Sequence, residues 1–270
     1  MITMALQGGL GNQMFQYAMG LYTARRMNVE LVLSTARLQS DDIRQYNLGI
    51  FNVQPKLIDV MCRPIVKENG LPYNAHLVDT IKDGDTLLGY WQSEKYFPGT
   101  DMKLVLDKIF QSAQTWSTDA QLDLQMIRAA GIRSTFIGIR RTDYLKKLDF
   151  HGVMDAEYYR EGLQMIARKI GLTPEVFVFS DDPEWCLENL DIEYPCHILS
   201  PHCTTKTVLG REDIDIGLMS ACQNAVIANS SFHWWGAWLG GGKNVIAPKR
   251  WFTAEGEDST DIVPERWERI

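Results

Sequence analysis

Short apolar runs alternate with longer amphipathic stretches along almost the whole chain, the pattern of strands feeding helices in an α/β protein. Ile2–Leu6 predicts a strand and a glycine turn follows it. Met14, Tyr17, Ala18, Leu21 and Tyr22 then recur at helical spacing, which predicts a helix over Asn12–Met27. Val29–Leu33 predicts the next strand, so the chain opens on a β-α-β unit. The stretch Ser34–Gly99 is less regular, with a strand-like Thr86–Trp91 and prolines at 55, 64, 72 and 98. Helices are expected over Asp101–Gln111 and Thr118–Ala130, the second stopped by Gly131.

A second series begins there. Strands are predicted at Ser134–Ile139, Glu175–Ser180, His197–Leu199, Ala225–Ala228 and Asn244–Ala247. Helices are predicted at Asp155–Ile170, Asp182–Leu190, Arg211–Cys222 and Ser231–Leu239. The division between two α/β domains is therefore expected near residues 130–134, giving domains 1–132 and 133–270. The polar stretch Phe252–Ile270 could return to the first domain.

Composition changes this picture only by exclusion. With 270 residues, 45% of them hydrophobic and 23% charged, two compact lobes can each bury a core. A net charge of −7 argues against nucleic acid or an anionic membrane held by bulk electrostatics, so an anionic ligand needs a local cluster of cations. The N-terminus has no basic flank and no apolar run of spanning length, which predicts a soluble, cytoplasmic protein without a transmembrane segment. Cys62, Cys186, Cys196, Cys203 and Cys222 form no CxxC pair, as expected of reduced thiols. His202 and Cys203 are neighbours without a partner two to four residues away, so no zinc site is expected. Asp83 and Asp85 fall in a turn, Asp213 and Asp215 point different ways on a helix, and no metal is expected at either pair.

The candidate chemistry lies at strand ends. Phe136–Ile139 delivers Arg140, Arg141 and Asp143 at its carboxyl end, where open α/β sheets bind ligands. A guanidinium offers a fork of donors matched to phosphate oxygens and stays charged, so Arg140 suits the diphosphate expelled in glycosyl transfer from a nucleotide sugar. Arg141 stands close behind, or else pairs with Asp143 or another carboxylate for structure. The loop with Gly8, Gly9, Gly11 and Asn12 satisfies neither the phosphate-loop nor the dinucleotide fingerprint, yet its glycines let a ligand approach the backbone; Asn12 can equally cap the helix. Asp181 could accept the two edge protons of a guanine, and Asp182, before Pro183, reads as a helix cap; a magnesium site is the rival use of this pair. Asn229, Ser230, Ser231 and Phe232 form a helix entrance suited to a diphosphate or ribose, while Trp234, Trp235 and Trp238 read mostly as core.

These residues resemble glycosyltransferase family 11, the α-1,2-fucosyltransferases. The match runs through Gly8-Gly9-Leu10-Gly11-Asn12-Gln13, Gly89–Phe97, Arg140-Arg141-Thr142-Asp143-Tyr144, Phe179–Asp182 with Trp185-Cys186, Asn229–Phe232 with Trp234–Trp238, and Val245–Pro248. The resemblance implies a GT-B-like fold, two Rossmann-like lobes facing a cleft, with an N-terminal acceptor-side domain and a C-terminal domain for GDP-fucose. It implies an inverting, metal-independent fucosyltransferase acting on the 2-hydroxyl of a terminal β-galactoside. Arg140 would contact the diphosphate, and residues 229–232 would help to hold the nucleotide. The expected donor-binding set is Gly9, Gly11, Asn12, Arg140, Arg141, Asp181, Asn229, Ser230, Ser231 and Phe232. The partners implied are GDP-fucose and a galactoside-terminated oligosaccharide or glycolipid, which leaves room for peripheral membrane association. The alternatives are another nucleotide-sugar donor on this scaffold, or a carbohydrate-binding protein without turnover. Gly138 stands where the family motif His-x-Arg-Arg-x-Asp-Tyr has histidine, and Thr142 replaces a common glycine. The base on the acceptor hydroxyl is then Asp143 or His151, or a diphosphate oxygen takes the proton without a protein base.

Overall fold

The computed structural model describes residues 1–39, 41, 44–146, 148–199, 211–241, 244–253 and 258–270. His202 and Cys203, weighed above as zinc ligands, lie outside the described residues. The chain forms two compact units, Met1–Ala113 with Glu257–Pro264 and Gln114–Gly256 with Glu265–Ile270.

The first unit runs β1 (Ile2–Ala5), α1 (Leu10–Met27), β2 (Leu31–Ser34), β3 (Lys56–Ile58), β4 (Ile65–Lys67), α2 (Ala75–Thr80), β5 (Thr86–Leu88) and α3 (Thr100–Ile109). Its parallel sheet has the order β3-β2-β1-β5-β4, so the order reverses between β1 and β5. Strand β1 is buried on both faces, Thr3 included, as expected of a central strand in a parallel sheet. Helix α1 starts two residues earlier than predicted. Gly9 is its N-cap and gives no side-chain cap, while Asn12 lies inside the first turn and accepts a 2.6 Å bond from Gln92 Nε2. The capping role expected for Asn12 is thus replaced by a bridge to the loop after β5.

The second unit runs α4 (Thr118–Ala130), β6 (Ser134–Ile139), α5 (Leu148–His151), α6 (Ala156–Ile170), β7 (Glu175–Ser180), α7 (Pro183–Asn189), β8 (Cys196–Ile198), α8 (Glu212–Ala221), β9 (Asn224–Ile227), α9 (Ser231–Leu239), β10 (Asn244–Ala247) and β11 (Glu268–Arg269). Its sheet is parallel throughout, in the order β11-β10-β9-β6-β7-β8. Counted from β6 as the first strand of the unit, this is the 3-2-1-4-5-6 order of Rossmann sheets, with its reversal between β6 and β9. Helix α4 belongs here rather than to the first unit, so the division falls at 113/114 and not near 132. The reason is packing: α4 lies against α8, and the Trp116 ring covers Gly217, where a Cβ would sit 2.4 Å from it.

On one face of this sheet Ile137, Ile139, Val176, Val178 and Val226 pack against Tyr159, Leu163 and Ile166 of α6. Trp234 and Trp235 are fully buried and Trp238 nearly so; Trp234 stacks on Trp238 at 5.8 Å and meets Trp267 at 5.5 Å. The tryptophans are core. Among the described residues no helix is long and apolar enough to cross a membrane.

Candidate functional site

The switch point of the second sheet gathers the charged motif. Strand β6 is buried along its whole length and releases Arg140 at its carboxyl end. Arg140 grips Asp143 with Nε and Nη2, at 2.8 and 2.9 Å, and its Nε lies 3.4 Å from Asp181 Oδ2. Burial works against its charge, but Asp143 and Asp181 outweigh it and the guanidinium is held charged more firmly than usual. Its Nη1 forms no hydrogen bond with the described residues. The sequence leaves Arg141 open between the diphosphate and a structural pairing with Asp143 or another carboxylate, and Asp143 is not its partner. Instead Arg141 stacks on the Trp185 ring at 3.8 Å and lies 3.4 Å from Asp182 Oδ2.

Asp181, expected at a guanine edge, has both oxygens on the loop after β6. Oδ1 accepts from Arg141 N at 2.9 Å; Oδ2 accepts from Thr142 N at 3.2 Å and Thr142 Oγ1 at 2.6 Å. It fixes the path of the backbone that carries Arg140. Asp182 is the cap of α7, accepting from Trp185 N at 3.2 Å, with Pro183 behind it.

Strand β9 leads into the other half of the site. Ala228 N donates to Gly138 O at 3.0 Å, which sets residues 228–230 beside the exit of β6. Helix α9 follows with Ser230 as N-cap and no side-chain cap on its first amides, near Ser231 and Phe232. An uncapped helix entrance next to a guanidinium attracts anions. Asn229 is 1% exposed, and its amide donates to the carbonyls of His151 and Trp251. It therefore ties three chain segments together. The Tyr144 hydroxyl donates to Asn229 O at 2.9 Å, and its ring stacks on His151 at 4.1 Å, 9° from parallel. Phe150 and Phe252 complete this aromatic group, joined by Thr253 N donating to Phe150 O at 2.9 Å.

The first unit has its own switch point between β1 and β5. Buried Gln16 spans it: its amide bonds Gln7 in both directions at 3.1 Å and donates to Gly89 O at 3.1 Å. Buried Gln13 donates to Gly8 O at 3.0 Å and Gln45 O at 2.7 Å. Glu68 accepts from Tyr90 N at 2.6 Å and from Trp91 N at 3.0 Å, holding Trp91 in the left-handed region at φ 56°. Burial pushes the Glu68 carboxyl up to about 6 despite these bonds.

The predicted residues thus divide. Arg140, Arg141, Asp143, His151, Asp181 and residues 229–232 come together in the second unit, whereas Gly9, Gly11 and Asn12 belong to the first. Tyr144, Trp185, Glu68 and His233 were missed as site residues; Tyr144 and Trp185 lie within the matched motifs, which was their signal, and Glu68 and His233 had none. Among the described residues no three His, Cys, Asp or Glu side chains are grouped to hold a metal ion.

The chain is 33% identical to an Escherichia coli alpha-1,2-colitosyltransferase over 98% of its length and 97% of that protein. It is 26% identical to a Bos taurus galactoside 2-alpha-L-fucosyltransferase, SEC1, over 90% of the chain and 65% of the relative. A FUT1 mutant of Arabidopsis thaliana in complex with GDP shares the fold, with a TM-score of 0.51 at 12% identity, over 97% of this chain and 74% of that one. The glycosyl transferase family 11 profile matches residues 74–270, more than half of the sequence, and the chain is accordingly a glycosyltransferase of family 11.

Proposed function

We propose that the protein is an inverting α-1,2-fucosyltransferase that moves L-fucose from GDP-fucose to the 2-hydroxyl of a terminal β-galactoside. The observation that supports it most is Arg140, charged and two-thirds enclosed, beside the uncapped entrance of α9 at the sheet's switch point. In this reading the second unit holds the donor and the first supplies the acceptor side. The acceptor oxygen forms a bond to C1 of fucose as the bond from C1 to the β-phosphate oxygen breaks. GDP departs with the electron pair, and the Arg140 fork and the α9 amides take up its growing charge. The arginine performs the task of a divalent ion, so transfer proceeds in EDTA.

Asp143 is engaged by Arg140 and the His151 ring is stacked on Tyr144. That geometry favours the route in which a departing diphosphate oxygen takes the acceptor proton. A second reading follows from the relative that shares 33% identity, a colitosyltransferase. Colitose is fucose without its 3-hydroxyl, so both donors suit the same diphosphate grip. Purified protein is incubated in EDTA with GDP-fucose, GDP-colitose, GDP-mannose or UDP-galactose and a panel of β-galactosides, and product linkage is read by NMR. An α-1,2-fucosyl product bears the proposal out, and an α-1,2-colitosyl product transfers it to the second reading. Turnover from UDP-galactose alone, or only after metal is added, overturns both.

A further inference from the structure

Position 138 lacks the imidazole that the resembling motif carries, yet the structure puts one there from a different element. His233, on the first turn of α9, lies over Gly138. A Cβ on Gly138 would fall 2.4 Å from its Cγ, 2.7 Å from Nδ1 and 2.8 Å from Cδ2. Only glycine leaves room for the ring. His233 is 4% exposed, and its Nδ1 has no hydrogen-bond partner among the described residues. Burial, and then the charge of Arg140, pushes its imidazole down to about 3, so the ring is neutral at physiological pH.

This is a costly way to fill space. A buried ring nitrogen without a partner destabilises the fold, and an aliphatic side chain would occupy the same volume without that loss. The ring lies against Gly138, two residues before Arg140, and feels the charge of that guanidinium. We infer that His233 is a donor-binding residue: α9 supplies the imidazole that β6 lacks, and its unmade hydrogen bond is completed by the diphosphate of a GDP-sugar seated beside Arg140. The inference rests on the function proposed above. It also assigns Gly138 a purpose, as the gap that admits a ring from 95 residues further along the chain.

The test sets stability against binding. His233→Leu fills the space without a nitrogen, so it should melt at the wild-type temperature or above. Its affinity for GDP, measured by calorimetry, should fall about tenfold, as should kcat/KM for the donor, the value of one hydrogen bond to a charged group. His233→Asn, which restores a polar atom near Nδ1, should recover part of both. A Leu variant within about twofold of wild type in GDP affinity and donor KM reduces His233 to packing and overturns the inference. Should the Leu variant not fold, wild-type protein labelled with 15N-histidine gives the same answer. The His233 Nδ1 resonance should move when GDP is added, and an unmoved resonance in GDP-saturated protein overturns the inference. Failure of the functional reading looks different: wild type then transfers no sugar from any GDP donor, whatever position 233 holds.

Discussion

Asp143 holds Arg140 through Nε and Nη2, and this decides which of its N–H groups remain for a ligand. Arg140→Lys keeps the charge and loses the fork, so kcat/KM for the donor should drop about 100-fold, and Arg140→Ala further, in steady-state assays. Asp143→Asn separates two roles. If the carboxylate orients Arg140, the variant loses about tenfold in kcat/KM and keeps the shape of its pH profile; loss of the acidic limb would make Asp143 the base. Gly138→Ala should destabilise by about 1–3 kcal/mol, because the Cβ meets a buried ring, and chemical denaturation would read it. Arg140 and Asp143 were legible because a charged motif after a buried run must emerge at a sheet edge. Which arginine met which carboxylate was not, since that depends on Trp185 drawing Arg141 away. His233 was illegible for a similar reason: its meaning lies in a glycine on another strand.

At the scale of elements, the long buried strands could be read directly. Ser134–Ile139, Glu175–Ser180 and Asn244–Ala247 are found where their apolar runs put them, as is the helix Thr118–Ala130, closed by Gly131 at positive φ. Strands β3, β4 and β11 escaped because they are two or three residues long, flank their sheets and carry no buried run. The predicted strand Thr86–Trp91 ends early, at Leu88, because Glu68 turns the chain at Tyr90 and Trp91. That clamp has a pH signature. The folded Glu68 carboxyl is raised from 4.5 to about 6, so the folded state binds its proton more tightly than the unfolded chain does. Stability from this group is complete below 4.5 and is lost as pH rises through about 6, up to about 2 kcal/mol in all. Urea melts across that range should show wild type losing ground against Glu68→Gln, which has no such titration.

For the whole molecule, sequence pattern gave the α/β class and two parallel sheets, and it misplaced their division because α4 carries no sign of which sheet it covers. The tail is divided as well. Residues 258–264 serve the first unit, where Asp261 accepts from Tyr73 N at 2.8 Å and pairs with Lys95 at 2.7 Å. Ile262 and Val263 are buried there, and Trp267 is buried in the second unit. Ending the chain at residue 256 should cost about 1.5–3 kcal/mol for each of these three side chains, and calorimetry should find a sharply lowered melting temperature. The backbone therefore passes between the units three times, at 113/114, 256/257 and 264/265. A protease nick at the first passage does not release two free halves: the larger fragment keeps seven described residues stitched into the smaller one, and the cut is visible only after denaturation.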